Sequence, residues 1–297
     1  MYYNENTTTY LDGKWLLAEE ANTSLYAQTL HYGNGVFEGI RAYQTEEGNT
    51  LVFKALEHYE RLLDSAQKMH ISVAYTAEQL VQLTYELLDK NNLKDAYIRP
   101  LIYLDPNMGL TPVENAHVFI AAWEWDKYLG HQLLNVTTSS YCRPHPKSCH
   151  VEAKTVGHYT NSILATTEAK QKGYDEALLL DHEGFVAEAP GANFFFEKDG
   201  KLYTPALGNI LPGITRKTVF ELADQLHLEV VEGKFTLEDV YAADSAFFTG
   251  TAVEVAGIAA LDDYKFPLEW EDSLGYLLNK MYTKCVTANE PSKLTLV

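Results

Sequence analysis

Strand-like and helix-like stretches are interspersed along this chain, and this pattern constrains its fold more than any other feature. Residues 56–70 and the stretch TAEQLVQLTYELLDKNN carry apolar residues at helical spacing, with Thr76 as the expected N-cap of the second helix. Residues 96–104 and 116–125, AYIRPLIYL and AHVFIAAWEW, are typical of strands. Because strict βαβ alternation is missing, the sequence predicts the α+β class.

The second half of the chain continues this mixture after a connecting stretch, DKYLGHQ. The stretch ANFFFEKDGKLYTP predicts a hairpin around Asp199-Gly200, because Asp-Gly suits a type I′ turn. We therefore predict two domains joined by a loop. The boundaries are 1–125 for a small N-terminal α/β domain, 126–135 for the interdomain loop and 136–297 for a larger C-terminal domain.

Composition narrows the setting in which the protein works. The formal net charge is -18 and no run of Lys and Arg occurs, so we do not expect a nucleic-acid partner. No apolar run approaches the ~18 residues of a membrane span, and the N-terminal stretch does not resemble a secretory signal. Cys142, Cys149 and Cys285 are an odd number of cysteines in a long chain, which favours a reducing compartment. We expect a cytoplasmic protein without a membrane partner.

The glycine-rich stretch HYGNGVFEG matches neither a dinucleotide-binding fingerprint nor a P-loop. Gly33, Gly35 and Gly39 are explained most simply by a loop that needs glycine geometry. The alternative is a loop that approaches a ligand closely, with Tyr32 and Phe37 as an apolar wall.

The stretch CRPHPKSCH contains four side chains of the types that bind zinc, Cys142, His145, Cys149 and His150. Their spacing matches no paired Cys-x-x-Cys arrangement, and no second pair follows. We therefore predict no metal site. The sequence also lacks the G-x-S-x-G motif of serine hydrolases.

Two turns and one glutamate are candidate functional features whose roles the residues alone leave open. The stretch LPGITR opens a helix at Ile214 and Thr215, where free N–H groups and the helix dipole favour a phosphate, although Thr215 could simply be an N-cap. The stretch TGTA, residues 249–252, offers a second such turn. Glu188 stands among apolar residues and needs a cationic neighbour unless it is a surface glutamate at a strand end. None of this singles out Lys154 among the lysines.

Taken together, several ordered motifs resemble the branched-chain amino-acid aminotransferases, pyridoxal-phosphate enzymes of fold type IV. The resemblance extends from about Leu11 to the region of Leu261. The motifs are LHYGNGVFEGIRAY, EHYERLLDSA, AYIRPLIYL, AWEWDKYLG, AKTVGHYTNSILA, GFVAEAPGANFFF, LPGITR and FFTGTAVEV.

The resemblance implies a cofactor site, most of whose residues lie in the larger domain, and a role for each of its residues. It places Lys154 at the lysine that forms a Schiff base with pyridoxal 5'-phosphate and transfers protons, Tyr159 at the cofactor's phenolic oxygen and Glu188 at its pyridine nitrogen. The other implied cofactor-binding residues are Arg61, Ile214, Thr215 and Thr251 at the phosphate and Leu211 at the ring.

The resemblance also implies a pocket that accepts both leucine and glutamate. Arg99 would bind the side-chain carboxylate of glutamate, and Tyr97 the α-carboxylate; strand alternation places both on one face, although Arg99 could be an ordinary surface arginine. The other implied pocket residues, some supplied by a partner subunit, are Tyr32, Phe37, Gly39, Trp125 and Tyr128, with the backbone N–H groups of Thr251 and Ala252.

We therefore expect an enzyme that moves an amino group between leucine, isoleucine or valine and 2-oxoglutarate by a ping-pong mechanism, in at least a homodimer. One departure is Ala192, where several relatives carry a glutamate. The alternatives are a D-amino-acid transaminase, an amine transaminase, an aminodeoxychorismate lyase and a non-enzymatic binding protein that kept the fold.

Overall fold

The structure, a computed structural model, describes residues 2–125 and 133–288. The described residues form two compact units. The first contains residues 2–125, 153–158 and 286–288, and the second contains 133–152 and 159–285. The predicted domain boundaries remain a prediction, and most of the predicted interdomain loop lies outside the described residues.

The first unit is built from antiparallel strands and three helices. Its strands are β1 (Thr8–Leu11), β2 (Lys14–Leu17), β3 (Val36–Phe37), β4 (Ile40–Gln44), β5 (Thr50–Val52), β6 (Ala96–Leu104) and β7 (Ala116–Trp123). Its helices are α1 (Gln28–Tyr32), α2 (Ala55–Lys68) and α3 (Ala77–Asn91). Among the described residues the sheet order is β2-β1-β7-β6-β4-β5, with β3 also paired to β6.

One face of this sheet forms the core of the unit. Ile40 and Ile98 pair across β4 and β6, and both are fully buried in a cluster that includes Leu62 of α2 and Leu80 of α3. Side chains alternate along a strand, so Tyr97 and Arg99, which flank Ile98, lie on the opposite face of the sheet. The predicted start of α3 is confirmed, because the Thr76 side chain accepts a hydrogen bond from the Gln79 N–H in a capping box.

The second unit combines a larger sheet with four helices. Its strands are β8 (Leu134–Cys142), β9 (Glu176–Leu180), β10 (Val186–Glu188), β11 (Asn193–Lys198), β12 (Lys201–Pro205), β13 (Val230–Gly233), β14 (Ser245–Gly250), β15 (Glu254–Leu261) and β16 (Tyr264–Lys265). Its helices are α4 (Tyr159–Gln171), α5 (Ile214–Gln225), α6 (Leu237–Val240) and α7 (Leu274–Thr287), whose last residues group with the first unit. Among the helices of the described residues, none is long and apolar enough to cross a membrane.

Part of the sheet of the second unit is closed into a ring of paired strands. Its strand order is β10-β9-β8-β15-β14-β11-β12-β13, and an additional pairing of β10 with β11 closes six of the strands into a ring. Asp199 and Gly200 join β11 to β12 with φ values of 51° and 71°, so the predicted hairpin is confirmed with the positive φ values that a type I′ turn requires. Mixed sheets and helices confirm the α+β class.

Candidate active site

Lys154 lies in a short segment that hydrogen bonds hold against β3 and α2. The Phe37 N–H donates to the Lys154 carbonyl oxygen at 3.1 Å, and the Lys154 N–H donates to Ser65 Oγ, also at 3.1 Å. Two residues further on, the Val156 N–H donates to the Gly35 carbonyl oxygen at 2.8 Å. The backbone on both sides of the Lys154 side chain is therefore fixed within the first unit.

A close approach of two glycines completes this attachment. Gly33 adopts a φ of +71°, and a Cβ at this position would lie 2.6 Å from the Cα atom of Gly157. The Gly157 N–H donates to the Gly33 carbonyl oxygen at 2.8 Å. At Gly33, the interpretation of HYGNGVFEG as a loop that needs glycine geometry is confirmed.

Several predicted substrate residues meet Lys154 on the sheet face opposite the core. The Lys154 Nζ atom lies 5.2 Å from the Phe37 ring centroid, and the Arg99 guanidinium carbon lies 4.8 Å from the same centroid. Arg99 Nη2 donates to the Tyr97 hydroxyl at 3.1 Å, and the rings of Tyr97 and Trp125 meet edge to face at 4.6 Å. The prediction that Tyr97 and Arg99 share a face is confirmed.

The remaining predicted substrate residues of this unit differ in their placement. A Cβ at Gly39 would lie 2.0 Å from the Tyr97 hydroxyl oxygen, so the absence of a side chain makes room for that hydroxyl. The structure does not bring Tyr32 into this group: its side chain is 47% exposed, and its hydroxyl donates to the Met108 carbonyl oxygen. Tyr128 lies outside the described residues.

A buried carboxylate that the sequence analysis did not single out lies next to this group. Glu38 is 0% exposed and accepts hydrogen bonds from Arg61 Nε at 2.6 Å and Arg61 Nη2 at 2.9 Å. It also accepts from His58 Nδ1 at 2.8 Å and the Gly39 N–H at 3.1 Å. The spacing of His58 and Arg61, three residues apart on one helix face, was the only signal available in the sequence.

Burial and charge act against each other in this network. Burial alone would raise the pKa of Glu38, but the Arg61 guanidinium and the hydrogen bond from His58 hold that pKa well below its usual range. Burial lowers the pKa of His58, and the contact with Glu38 does not fully offset it. Glu38 is therefore an anion at neutral pH, and neutral His58 donates its Nδ1 proton to it.

In the second unit, Glu188 is surrounded by donors. The residue is 4% exposed, and its side chain accepts hydrogen bonds from Asn193 Nδ2 at 3.0 Å and from the Leu211 N–H at 3.1 Å and 3.2 Å. Arg143 Nε lies 3.0 Å from Glu188 Oε1 but outside hydrogen-bond geometry, so we describe the contact as an ion pair. Glu188 is thus a compensated buried charge, not a surface residue. Arg143 and Asn193 were not predicted from the sequence.

Two helices of this unit begin at predicted cofactor residues, α4 at Tyr159 and α5 at Ile214. Gly213 is the N-cap of α5, and it has no side chain because a Cβ there would lie 1.9 Å from Asn193 Oδ1. Thr215 is therefore inside the first turn and is not the cap. The first turn of α5 contains no acidic residue, and no side chain caps it, which favours binding of an anion.

Thr251 and Ala252 lie in the tight turn between β14 and β15, where Gly250 pairs with Glu254. Glu254 adopts a φ of 58°, a left-handed conformation that turns the chain back on itself. Ala192, the residue that departs from several relatives, is buried beside this turn: a Cβ at Gly250 would lie 3.4 Å from the Ala192 Cβ atom.

The cysteine- and histidine-containing loop carries no metal cluster in the described residues. Within residues 2–125 and 133–288 no group of three or more His, Cys, Asp and Glu side chains is placed to hold a metal ion. Cys142 ends β8, and the His145 ring packs against the His182 ring with centroids 3.9 Å apart.

Comparison with known proteins places this chain in a family. The family model described as amino-transferase class IV matches residues 35–261. A branched-chain-amino-acid aminotransferase of Pseudomonas aeruginosa is 42% identical over 284 residues, which are 94% of this chain and 92% of that protein.

Solved structures agree with the sequence match. The branched-chain aminotransferase of Thermoproteus uzoniensis with norvaline has a TM-score of 0.91 and 40% identity, covering 95% of each chain. The branched-chain amino acid aminotransferase of Thermobaculum terrenum in its PLP-form has a TM-score of 0.90 and 33% identity, covering 96% of this chain and 95% of that one. This chain belongs to the class IV aminotransferase family.

Proposed function

We propose that this enzyme transfers an amino group between L-leucine, L-isoleucine or L-valine and 2-oxoglutarate by a ping-pong mechanism. Relatives named branched-chain aminotransferases, similar over nearly the whole chain, support the substrate class. The observation that carries the proposal is the grouping of the Lys154 amine with Phe37, Tyr97 and Arg99, which combines a reactive lysine, an apolar wall and a cation.

Pyridoxal 5'-phosphate is the cofactor of this family, and the residues present fit it. A lysine with a fixed backbone, a compensated buried carboxylate and an uncapped helix N-terminus are the three kinds of group that its aldehyde, ring nitrogen and phosphate require. When bound, the cofactor supplies an electron sink for negative charge at the substrate α-carbon. The residues proposed to hold it are Lys154, Tyr159, Glu188, Leu211, Arg61, Ile214, Thr215 and Thr251.

Lys154 is proposed to act twice. Its Nζ atom would hold the aldehyde of the cofactor, and its amine would also take the proton from the substrate α-carbon as a base and then donate it as an acid. Because the backbone around Lys154 is fixed, its flexible side chain can place the amine only within a limited volume, which keeps the amine close to that carbon.

Glu188 is proposed to hold a proton on the ring nitrogen of the cofactor. Its carboxylate is oriented by Asn193 and by the Leu211 N–H, and its charge is compensated by the nearby Arg143. A carboxylate that is fixed in this way can accept one more hydrogen bond from a charged pyridinium nitrogen.

The binding of both leucine and glutamate in one pocket is proposed to depend on the position of the Arg99 guanidinium. Stacking on Phe37 and contact with the Tyr97 hydroxyl stabilise the guanidinium when the bound substrate is leucine, so no bare charge faces an apolar side chain. With glutamate bound, the same guanidinium pairs with the distal carboxylate. The other proposed substrate-binding residues are Tyr32, Gly39, Trp125, Tyr128, Thr251 and Ala252.

We also propose a homodimer or a higher homo-oligomer. Large apolar side chains of the first unit are strongly exposed in the single chain, including Leu25 at 81% and Leu110 at 87%. Tyr32 lies on this exposed surface, where its hydroxyl contacts Met108. We therefore propose that Tyr32 lines the substrate pocket of a partner subunit. The three cysteines form no disulfide, which agrees with the proposed cytoplasmic location.

A panel of L- and D-amino acids, each supplied with 2-oxoglutarate, tests the substrate class. We expect the L-forms of leucine, isoleucine and valine to be used best, with glutamate and the matching 2-oxo acid as products. Faster turnover of D-amino acids would identify a D-amino-acid transaminase, and turnover of simple amines alone would identify an amine transaminase. A protein that keeps no Schiff-base absorbance after incubation with pyridoxal 5'-phosphate and removal of the unbound cofactor would be a binding protein instead.

A further inference from the structure

We propose that Glu38 is a positioning residue for the cofactor, which fixes the orientation of the Arg61 guanidinium and acts on the phosphate only through Arg61. This inference rests on the proposed function, in which Arg61 contacts the phosphate.

The Glu38–Arg61 contact restrains the guanidinium at two points. Arg61 Nε lies 2.6 Å from one carboxylate oxygen, and Arg61 Nη2 lies 2.9 Å from the other. Two parallel hydrogen bonds to a planar group fix its rotation as well as its position. The side-chain exposures are 11% for Arg61 and 0% for Glu38, so little water competes for these bonds.

Glu38 is itself anchored by groups other than Arg61. Its Oε2 atom accepts from His58 Nδ1 at 2.8 Å and from the Gly39 N–H at 3.1 Å. The residue before it, Phe37, donates its N–H to the Lys154 carbonyl oxygen. The same short stretch of chain therefore holds the Lys154 backbone and, through Glu38, the Arg61 side chain.

A purely structural explanation makes a different prediction. A buried ion pair contributes little net stability compared with well-packed apolar residues. If the pair served only folding, removing Glu38 would lower the thermal midpoint and leave the cofactor affinity of the folded protein unchanged.

A double-mutant cycle in the full-length protein separates the two explanations. The dissociation constant of pyridoxal 5'-phosphate is measured by titrating protein stripped of cofactor, with the thermal midpoint recorded for each variant. We expect Arg61→Met to raise this constant about tenfold to a hundredfold. Partners that orient metal-binding side chains are worth about tenfold to a hundredfold in affinity, and by analogy we expect a loss of about tenfold from Glu38→Gln. The double variant should match Arg61→Met within about twofold.

Glu176→Gln is the matched control, because Glu176 is also a buried carboxylate, but its hydrogen bonds are to Thr166 and its own neighbour Ala177. We expect no change in cofactor affinity for this variant. If Glu38→Gln does not fold because its cation is left unpaired, Glu38→Asp, which keeps the charge and shortens the side chain, takes its place in the same cycle with the same criteria.

The outcomes are distinct. Unchanged affinity in the Glu38 variant, or losses that simply add in the double variant, would overturn the positioning role and leave the proposed function intact. Unchanged affinity in Arg61→Met would remove Arg61 from the proposed phosphate site, and the inference about Glu38 would fall with it.

Discussion

Lys154 is the residue whose replacement should have the largest effect on turnover. Lys154→Ala removes both the attachment point of the cofactor and the group proposed to move the proton, so we expect turnover to fall by at least about a hundredfold. Cofactor binding through the phosphate should persist. Borohydride reduction of the wild-type protein followed by peptide mapping checks the attachment, and a pyridoxyl group on any other lysine would disprove the assignment.

Glu188 should affect chemistry more than binding. Glu188→Gln keeps the shape of the side chain but loses the negative charge that the Asn193 amide and the Leu211 N–H hold in place. We expect the cofactor to remain bound and the proton-transfer step to slow by about a hundredfold, as for other fixed charges aimed at a reacting group. Single-turnover absorbance changes measure this step. Wild-type rates would mean that Glu188 serves the structure alone.

Arg99 should distinguish the two substrates of the cycle. We expect Arg99→Ala to lower kcat/KM for glutamate and 2-oxoglutarate by about tenfold to a hundredfold, because a charge-assisted contact is lost. Leucine, which forms no ion pair there, should lose much less in its own half-reaction. Each amino acid is mixed separately with the variant. Equal losses for both would show that Arg99 acts through the packing of Phe37 and Tyr97 and not through its charge.

At the scale of elements, His117 ties the β1–β2 turn to the end of β6. Its Nδ1 atom lies 2.5 Å from Asp12 Oδ2 and its Nε2 atom 2.6 Å from Asp105 Oδ1, so both nitrogens carry protons when both contacts are made. Burial tends to lower the pKa of His117, but the two carboxylates outweigh it and raise this pKa. Tyr103, which stacks on the ring, has its own pKa raised, mainly by burial.

This contact predicts a pH-dependent stability. Because the pKa of His117 is raised in the folded state, its contribution to the free energy of unfolding is complete below the pKa of the unfolded chain, about 6.5. This contribution is lost as the pH rises through the pKa of the folded protein. We therefore expect the loss of thermal midpoint caused by His117→Gln to be larger at acidic than at alkaline pH. His150→Gln, on an exposed histidine with one carboxylate neighbour, is the control. A loss that did not change with pH would refute the charged contact.

Local sequence signals predicted the elements that depend on local chemistry. The bounds of β6 follow from its strand-like apolar pattern. The cap at Thr76 follows from a hydroxyl that accepts a hydrogen bond from a backbone N–H at the start of the helix. The hairpin at Asp199-Gly200 follows from the ability of Asp and Gly to adopt the positive φ values of a type I′ turn. The attachment of Lys154 to β3 could not be predicted in this way, because it joins residues more than a hundred positions apart.

The candidate site shows the same division at the residue level. Lys154, Glu188 and Arg99 were selected by resemblance, since a lone charged residue carries no local signal of its partners. Glu38 and Arg143 were missed because a buried charge becomes informative only when its neighbours in space are known. Gly213 likewise looked like an ordinary turn residue, although its missing side chain makes room for Asn193.

At the scale of the whole molecule, the proposed function requires one enzyme to perform two half-reactions in succession. Lys154, Phe37 and Arg99 belong to the first unit, and Glu188 and the start of α5 belong to the second. The roles proposed for these residues come together only if the purified protein carries pyridoxal 5'-phosphate and exchanges amino groups with it.

The most direct test follows the cofactor's absorbance in the purified enzyme through both half-reactions. L-leucine added alone should convert the yellow form fully to a colourless form and release one equivalent of 2-oxo acid per cofactor, and 2-oxoglutarate added next should restore the yellow form and release glutamate. If L-leucine leaves the spectrum unchanged while D-leucine or a simple amine bleaches it, or if 2-oxoglutarate fails to restore it, the enzyme is not a branched-chain aminotransferase.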